Sequence, residues 1–118
     1  MKTNDRFQLK GRIWIEIEGL TIIGKGKADL LKKTAGLGSL RKAAAELNMS
    51  YRQAWYSINQ MNKAGKIPLV LLHRGGKKGG IAEITDFGLA VLDIYERSQH
   101  IFEEFLLNQT FIINNPGG

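Results

Sequence analysis

Residues 39 to 64 read as two short helices joined by a turn of about three residues, and few folds accommodate that unit in a chain of 118 residues. Ser39 is placed to cap the first helix, whose apolar positions Leu40, Ala43, Ala44 and Leu47 follow helical spacing. The small side chains of Ala43 and Ala44 allow a second helix to cross closely. Asn48 suits a turn that needs the left-handed backbone region, which few residues other than glycine tolerate. Ser50 then restarts the chain with Gln53 three residues on, the reciprocal pattern of a capping box.

On a wheel of about 100° per residue, Tyr51, Ala54, Trp55, Ile58, Met61 and Asn62 cluster around Ile58 and are expected to pack inward. Arg52, Gln53, Tyr56, Asn59, Gln60 and Lys63 fall on the opposite side. That exposed set contains no carboxylate. It offers guanidinium, carboxamide and phenol groups, the types that pair with guanine, adenine and phosphate. An ordinary amphipathic surface helix is the plainer reading, but such helices mix glutamate among their basic residues.

Charge is distributed unevenly. The chain has a net charge of +6, with 17 Lys and Arg against 11 Asp and Glu. Residues 39 to 80 hold 8 basic and 1 acidic side chains, whereas residues 81 to 118 hold 1 and 6. A basic centre on the second of two crossing helices is the electrostatic footprint of a polyanion-binding protein. No segment combines a broad apolar face with a lysine-rich one, so a membrane surface is not the expected partner.

With 43% hydrophobic residues the chain can build one core and no more. Cysteine is absent, which excludes disulfides and thiolate metal sites. The first residues lack the apolar core of a signal peptide, and no apolar run is long enough to span a bilayer, so a cytoplasmic protein is expected.

Around the two-helix unit, Ile13, Ile15 and Ile17 alternate as a half-buried strand, Glu18-Gly19 offers a turn, and Leu20 to Ile23 return as its partner. Lys27 to Ala35 reads as a first helix ended by Gly36 and Gly38. The Gly24-x-Gly26 pair lacks the further glycine or Lys-Ser/Thr of a phosphate loop and reads as a connector. Beyond Gly65, Leu69 to Leu72 form a strand, residues 74 to 80 a glycine-rich basic tip, and Ile81 to Thr85 a second strand. Strand, tip and strand directly after two crossing helices form a wing, the alternative being a hairpin loop of no consequence.

A last helix is expected from about Asp86 to Leu107, leaving residues 108 to 118 as a tail to a domain of residues 1 to 107. Phe87, Val91, Ile94, Tyr95, Phe102, Phe105 and Leu106, together with Ile101, make its apolar band wider than one small domain covers. We expect it to pair with a second copy. His73 and His100 have no acidic ligand cluster in sequence, and neighbouring Glu103 and Glu104 point apart on a helix. No metal site, cofactor or catalytic constellation is therefore expected.

The Gly38-Ser39-Leu40 run with Ala43-Ala44, the segment from Met49 to Trp55, Asn59-x-Met61-Asn62, the tip from Arg74 to Gly80 and Thr85-x-x-Gly88-Leu89 resemble the N-terminal DNA-binding domain of ModE-type molybdate-responsive regulators. That resemblance spans about residues 10 to 107. It implies an α+β winged helix-turn-helix related to LysR-type regulators, with an N-terminal β-hairpin, a long C-terminal dimerisation helix, and a homodimer acting on double-stranded DNA. Full-length relatives continue into a molybdate-binding domain. Residues 108 to 118 are too few for one, so the expectation is a stand-alone reader with no molybdate site of its own. Arg52, Gln53, Tyr56 and Gln60 are the candidates for base contact, and Ser50, Tyr51, Lys63, Arg74, Lys77 and Lys78 for phosphate contact. The alternative function is a protein-interaction module that keeps the scaffold and uses the long helix without binding DNA.

Overall fold

The first hairpin is set by two consecutive residues with positive φ, Glu18 at 50° and Gly19 at 82°, the backbone of a two-residue turn whose twist matches its strands. They join β1 (Ile15–Ile17) to β2 (Leu20–Ile23), which pair antiparallel with Ile17 opposite Leu20. The structure is a computed structural model that describes residues 6–73 and 80–117. Ile22 and Ile23 are buried and anchor the hairpin to the core.

Helix α1 (Lys25–Leu37) is longer than the glycine pattern suggests. Gly26 and Gly36 lie inside it, and the stop is Gly38, whose φ of 66° closes the end with its N–H donating to the Thr34 carbonyl. Helix α2 (Leu40–Glu46) starts at Ser39, whose Oγ accepts from Lys42 N at 3.1 Å. Asn48 takes φ 55° and turns the chain as its side chain permits. Helix α3 (Tyr51–Gly65) opens on the complete capping box: Ser50 Oγ accepts from Gln53 N at 3.0 Å, and Gln53 Oε1 accepts from Ser50 N at 3.2 Å.

Strands β3 (Val70–His73) and β4 (Ile81–Ile84) pair antiparallel, with His73 opposite Ile81 at the end nearest the tip. Ala82 N donates to the Gly38 carbonyl at 3.0 Å, fastening the hairpin to the α1–α2 junction. Asn62 fastens it to α3. Its Oδ1 accepts from Leu69 N at 2.8 Å and Val70 N at 3.2 Å, while its Nδ2 donates to the Val70 carbonyl at 2.9 Å. Removing that carboxamide orphans three partly buried backbone groups. Asn62→Ala is expected to lower stability by about 2–3 kcal/mol in urea unfolding, and an unchanged midpoint would show that water replaces the clamp.

Helix α4 (Asp86–Asn114) is capped by Thr85, whose Oγ1 accepts from Gly88 N at 2.9 Å. Its first half closes the core. Leu92 and Tyr95 are buried there beside Leu30, Leu31, Ile58 and Met61, and that burial pushes the Tyr95 phenol above its ordinary pKa. Beyond Tyr95 no residue of α4 is buried, and the chain measures 63 × 30 × 19 Å because the second half projects from the body.

The helix also runs seven residues past the expected end at Leu107, taking up most of what was read as a tail. Asn108, Gln109 and Thr110 suggest a stop, yet two of the polar residues near this end have tertiary partners. Thr110 Oγ1 accepts from Leu9 N at 2.9 Å, and the Asn114 carboxamide exchanges two hydrogen bonds with the backbone of Phe7 at 3.2 and 3.0 Å. Residues 6 to 12 thus lie as an extended strap along the projecting helix.

Candidate nucleic-acid interface

The buried face of α3 consists of Ala54, Ile58, Met61, Ala64 and Gly65. It is rotated by roughly 40° from the face that hydropathy suggests. Small residues fill it because α2 approaches through Ala43 and Ala44, and because a Cβ on Gly65 would stand only 3.0–3.1 Å from Leu69, Ile22 and Phe87. Tyr51 and Trp55 are displaced from the core as a result. Contrary to the inward position expected for them, they are 41% and 48% exposed.

The rotation sorts the candidate contacts into two flanks and an edge. Arg52, Tyr56 and Lys63 form the outermost edge, fully away from the core, and Gln60 stands beside them with its Nε2 donating to the Tyr56 hydroxyl at 3.3 Å. Asn59 is exposed too, but its Nδ2 donates to the Trp55 carbonyl at 2.8 Å. Gln53 lies toward the flank remote from the wing. Its carbonyl oxygen accepts one hydrogen bond in the capping box, which fixes the carboxamide's orientation and leaves its NH2 group directed outward to a base. Ser50 Oγ caps α3, and its hydroxyl proton has no acceptor among the described residues.

The other flank, Tyr51, Trp55 and Asn59, faces the wing across an open groove of about 780 Å³. Arg41 reaches it from α2 and lies over the Tyr51 ring, 4.5 Å from its centroid. This residue is missing from the sequence-derived candidates, since ten positions separate it from Tyr51 and only the turn at Asn48 unites them. The tip residues Arg74, Lys77 and Lys78 lie outside the described residues. At the base of the tip, His73 Nε2 and Glu83 Oε1 stand 3.1 Å apart on opposite strands, a surface pair rather than a ligand set. Among the described residues no group of three or more His, Asp or Glu is placed to hold a metal.

Glu46 is the one carboxylate between residues 39 and 80, and it is turned away toward Lys33 Nζ of α1 at 2.8 Å. The exposed side of α3 thus carries no acidic residue of its own, and the carboxylates nearest its ends and its wing flank, Glu18 and Glu83, are paired with Lys66 and His73. Among the described residues, no helix is long and apolar enough to cross a membrane.

No family model matches the chain. It is 34% identical over 92 residues to the transcriptional regulator ModE of Haemophilus influenzae, covering 75% of this chain and 36% of that protein. It is 31% identical over 84 residues to the molybdenum transport protein ModE of Azotobacter vinelandii, covering 71% and 31%. The DNA-binding transcriptional dual regulator ModE of Escherichia coli is 37% identical over 70 residues, covering 59% and 27%. This chain forms a ModE-like winged-helix domain. Its fold is also that of ArgP from Mycobacterium tuberculosis, with a TM-score of 0.54 at 19% identity over 75% of this chain and 31% of that one. The chain spans about a third of the length of the curated relatives it matches.

In the ModE-like domain α4 carries two different apolar faces. Of the residues expected to pair with a second copy, Phe87 and Val91 are partly buried against the chain's own core and Tyr95 is 4% exposed within it. Phe102 is half-covered, its ring lying where a Cβ on Gly11 of the strap would come within 2.8 Å, and Leu106 is likewise partly covered. Ile94 and Phe105 remain exposed, with Ile101 and Ile112 in line with them. Steps of seven, four and seven residues make that line a seam of the kind two helices share.

Proposed function

We propose that the ModE-like domain binds double-stranded DNA as a homodimer and reads base edges with α3, acting as a transcriptional regulator. The observation that carries this reading is the exposed edge of α3, where Arg52, Tyr56, Gln60 and Lys63 stand without a carboxylate beside a wing hairpin. An α-helix of that width enters the major groove, where guanidinium and carboxamide groups discriminate bases. Ser50, Lys63 and Arg41 supply phosphate contacts, and the basic tip with Arg74, Lys77 and Lys78 adds charge where counterions are released. A DNA-binding role fits a cytoplasmic binding protein rather than an enzyme. We assign no oxyanion-binding function to these residues.

Dimerisation is assigned to the seam of Ile94, Ile101, Phe105 and Ile112, which would bring two copies of α3 onto half-sites about one helical turn apart. Selection from random duplex DNA tests the whole reading at once. The expected product is an inverted repeat with half-site centres about 34 Å apart, bound less tightly as salt rises. Failure to enrich any duplex at low salt would favour a protein-interaction module built on the same scaffold. Within the selected site, Arg52→Ala is expected to relax preference at one base position, at a cost of about 1–3 kcal/mol. Unchanged affinity and preference would remove Arg52 from the reading edge.

A further inference from the structure

The groove between α3 and the β3–β4 hairpin has a chemistry that the base-reading edge does not explain. Its walls include Arg41, Tyr51, Trp55, Asn59, Leu71 and Ile81, so it presents both polar and apolar groups. Trp55 is 48% exposed there. The other tryptophan, Trp14, donates its indole N–H to Glu16 at 2.8 Å, whereas the Trp55 N–H has no acceptor among the described residues. Arg41 likewise has no carboxylate partner among the described residues and is held in place by the Tyr51 ring. An unused N–H donor and a preoriented cation flanking apolar walls match an anionic ligand with an apolar backbone.

We propose that this groove seats the sugar–phosphate backbone of one DNA strand, with the Trp55 N–H donating to a phosphate oxygen, Arg41 pairing with a neighbouring phosphate, and Leu71 and Ile81 lying against deoxyribose. The proposal rests on the duplex-binding reading. When the edge of Arg52 and Tyr56 points at base edges, the flank toward the wing meets the wall of the major groove, and that wall is phosphate. Charge complementarity selects the same occupant, because residues 39 to 80 hold 8 basic side chains, their single acid is engaged with Lys33, and Glu83, opposite Leu71 on the hairpin, is held against His73 at 3.1 Å. These contacts position the protein and carry no base preference.

Two measurements test this. In a Trp14→Phe protein the emission comes from Trp55 alone, and the selected duplex is expected to cut acrylamide quenching several-fold. Trp55→Phe keeps an aromatic ring but loses the N–H and part of the indole surface, so selected and scrambled duplexes should both bind about tenfold more weakly, with sequence preference intact. Arg41→Ala should reduce the salt slope by about one. Full acrylamide access to Trp55 in the complex, or parental affinity for Trp55→Phe, overturns the assignment while leaving DNA binding standing. If no duplex binds the parent protein at low salt, the underlying reading fails with it.

Discussion

Glutamate at both Ile94 and Ile101 is expected to turn a dimer into a monomer at micromolar concentration and to weaken binding to a two-half-site operator by roughly 10²–10⁴-fold. Both side chains stand clear of the protein's own core, at 49% and 65% exposure, so the substitutions act on association and not on the fold. They lie one heptad apart on the seam, where paired copies would bury them against each other. Burying a carboxylate without a partner there costs more than the apolar contact gains. The loss of affinity arises because the second half-site contact ceases to be intramolecular, so binding to a single half-site should stay at the parental level. Sedimentation velocity and half-site titration read the two effects separately. A double variant that sediments like the parent would move the interface off this seam.

What the sequence shows of this fold is mostly local. Ser39, Asn48 and the Ser50–Gln53 pair act within four residues of themselves, and each takes the cap or turn that its chemistry favours. The order of hairpin, crossing helices, wing and long helix follows from the same short-range signals. What requires the third dimension is how α3 is rotated. Hydropathy gives weight to large side chains, so Trp55 looks internal, but close helix approach selects Ala54, Ala64 and Gly65 and turns the indole outward. The extent of α4 is hidden for a related reason. Thr110 and Asn114 are polar and resemble a helix end until the strap of residues 7 to 9 supplies their partners, about a hundred positions away in sequence. Asn62 and Arg41 carry the same lesson, since each acts on an element brought alongside only by folding.

Gly88 offers the sharpest test of that tertiary reading, because its local and its global preference have opposite signs. In the first turn of α4 an alanine would ordinarily gain about 0.8–1 kcal/mol over glycine. Here a Cβ would collide with the backbone carbonyl oxygen of Leu69 and stand 2.8 Å from Ile84 Cγ1. That oxygen cannot easily yield, since it accepts from Thr85 N at 2.9 Å. Moving α4 instead would open the Thr85 cap on Gly88 N, and would strain the 2.7 Å hydrogen bond from Thr85 Oγ1 to the Pro68 carbonyl. Every relaxation breaks the joint between the wing and the last helix. Gly88→Ala is therefore expected to destabilise the protein by about 3 kcal/mol or more. Gly36→Ala is the matched control: it too lies in a helix, but a Cβ there meets nothing within 4 Å, and it should stabilise by up to about 1 kcal/mol. Urea midpoints moving in opposite directions at a constant slope would establish the contact. Two midpoints that both rise would mean that α4 does not approach Leu69 this closely, and the wing would then hang on Asn62 and Gly38 alone.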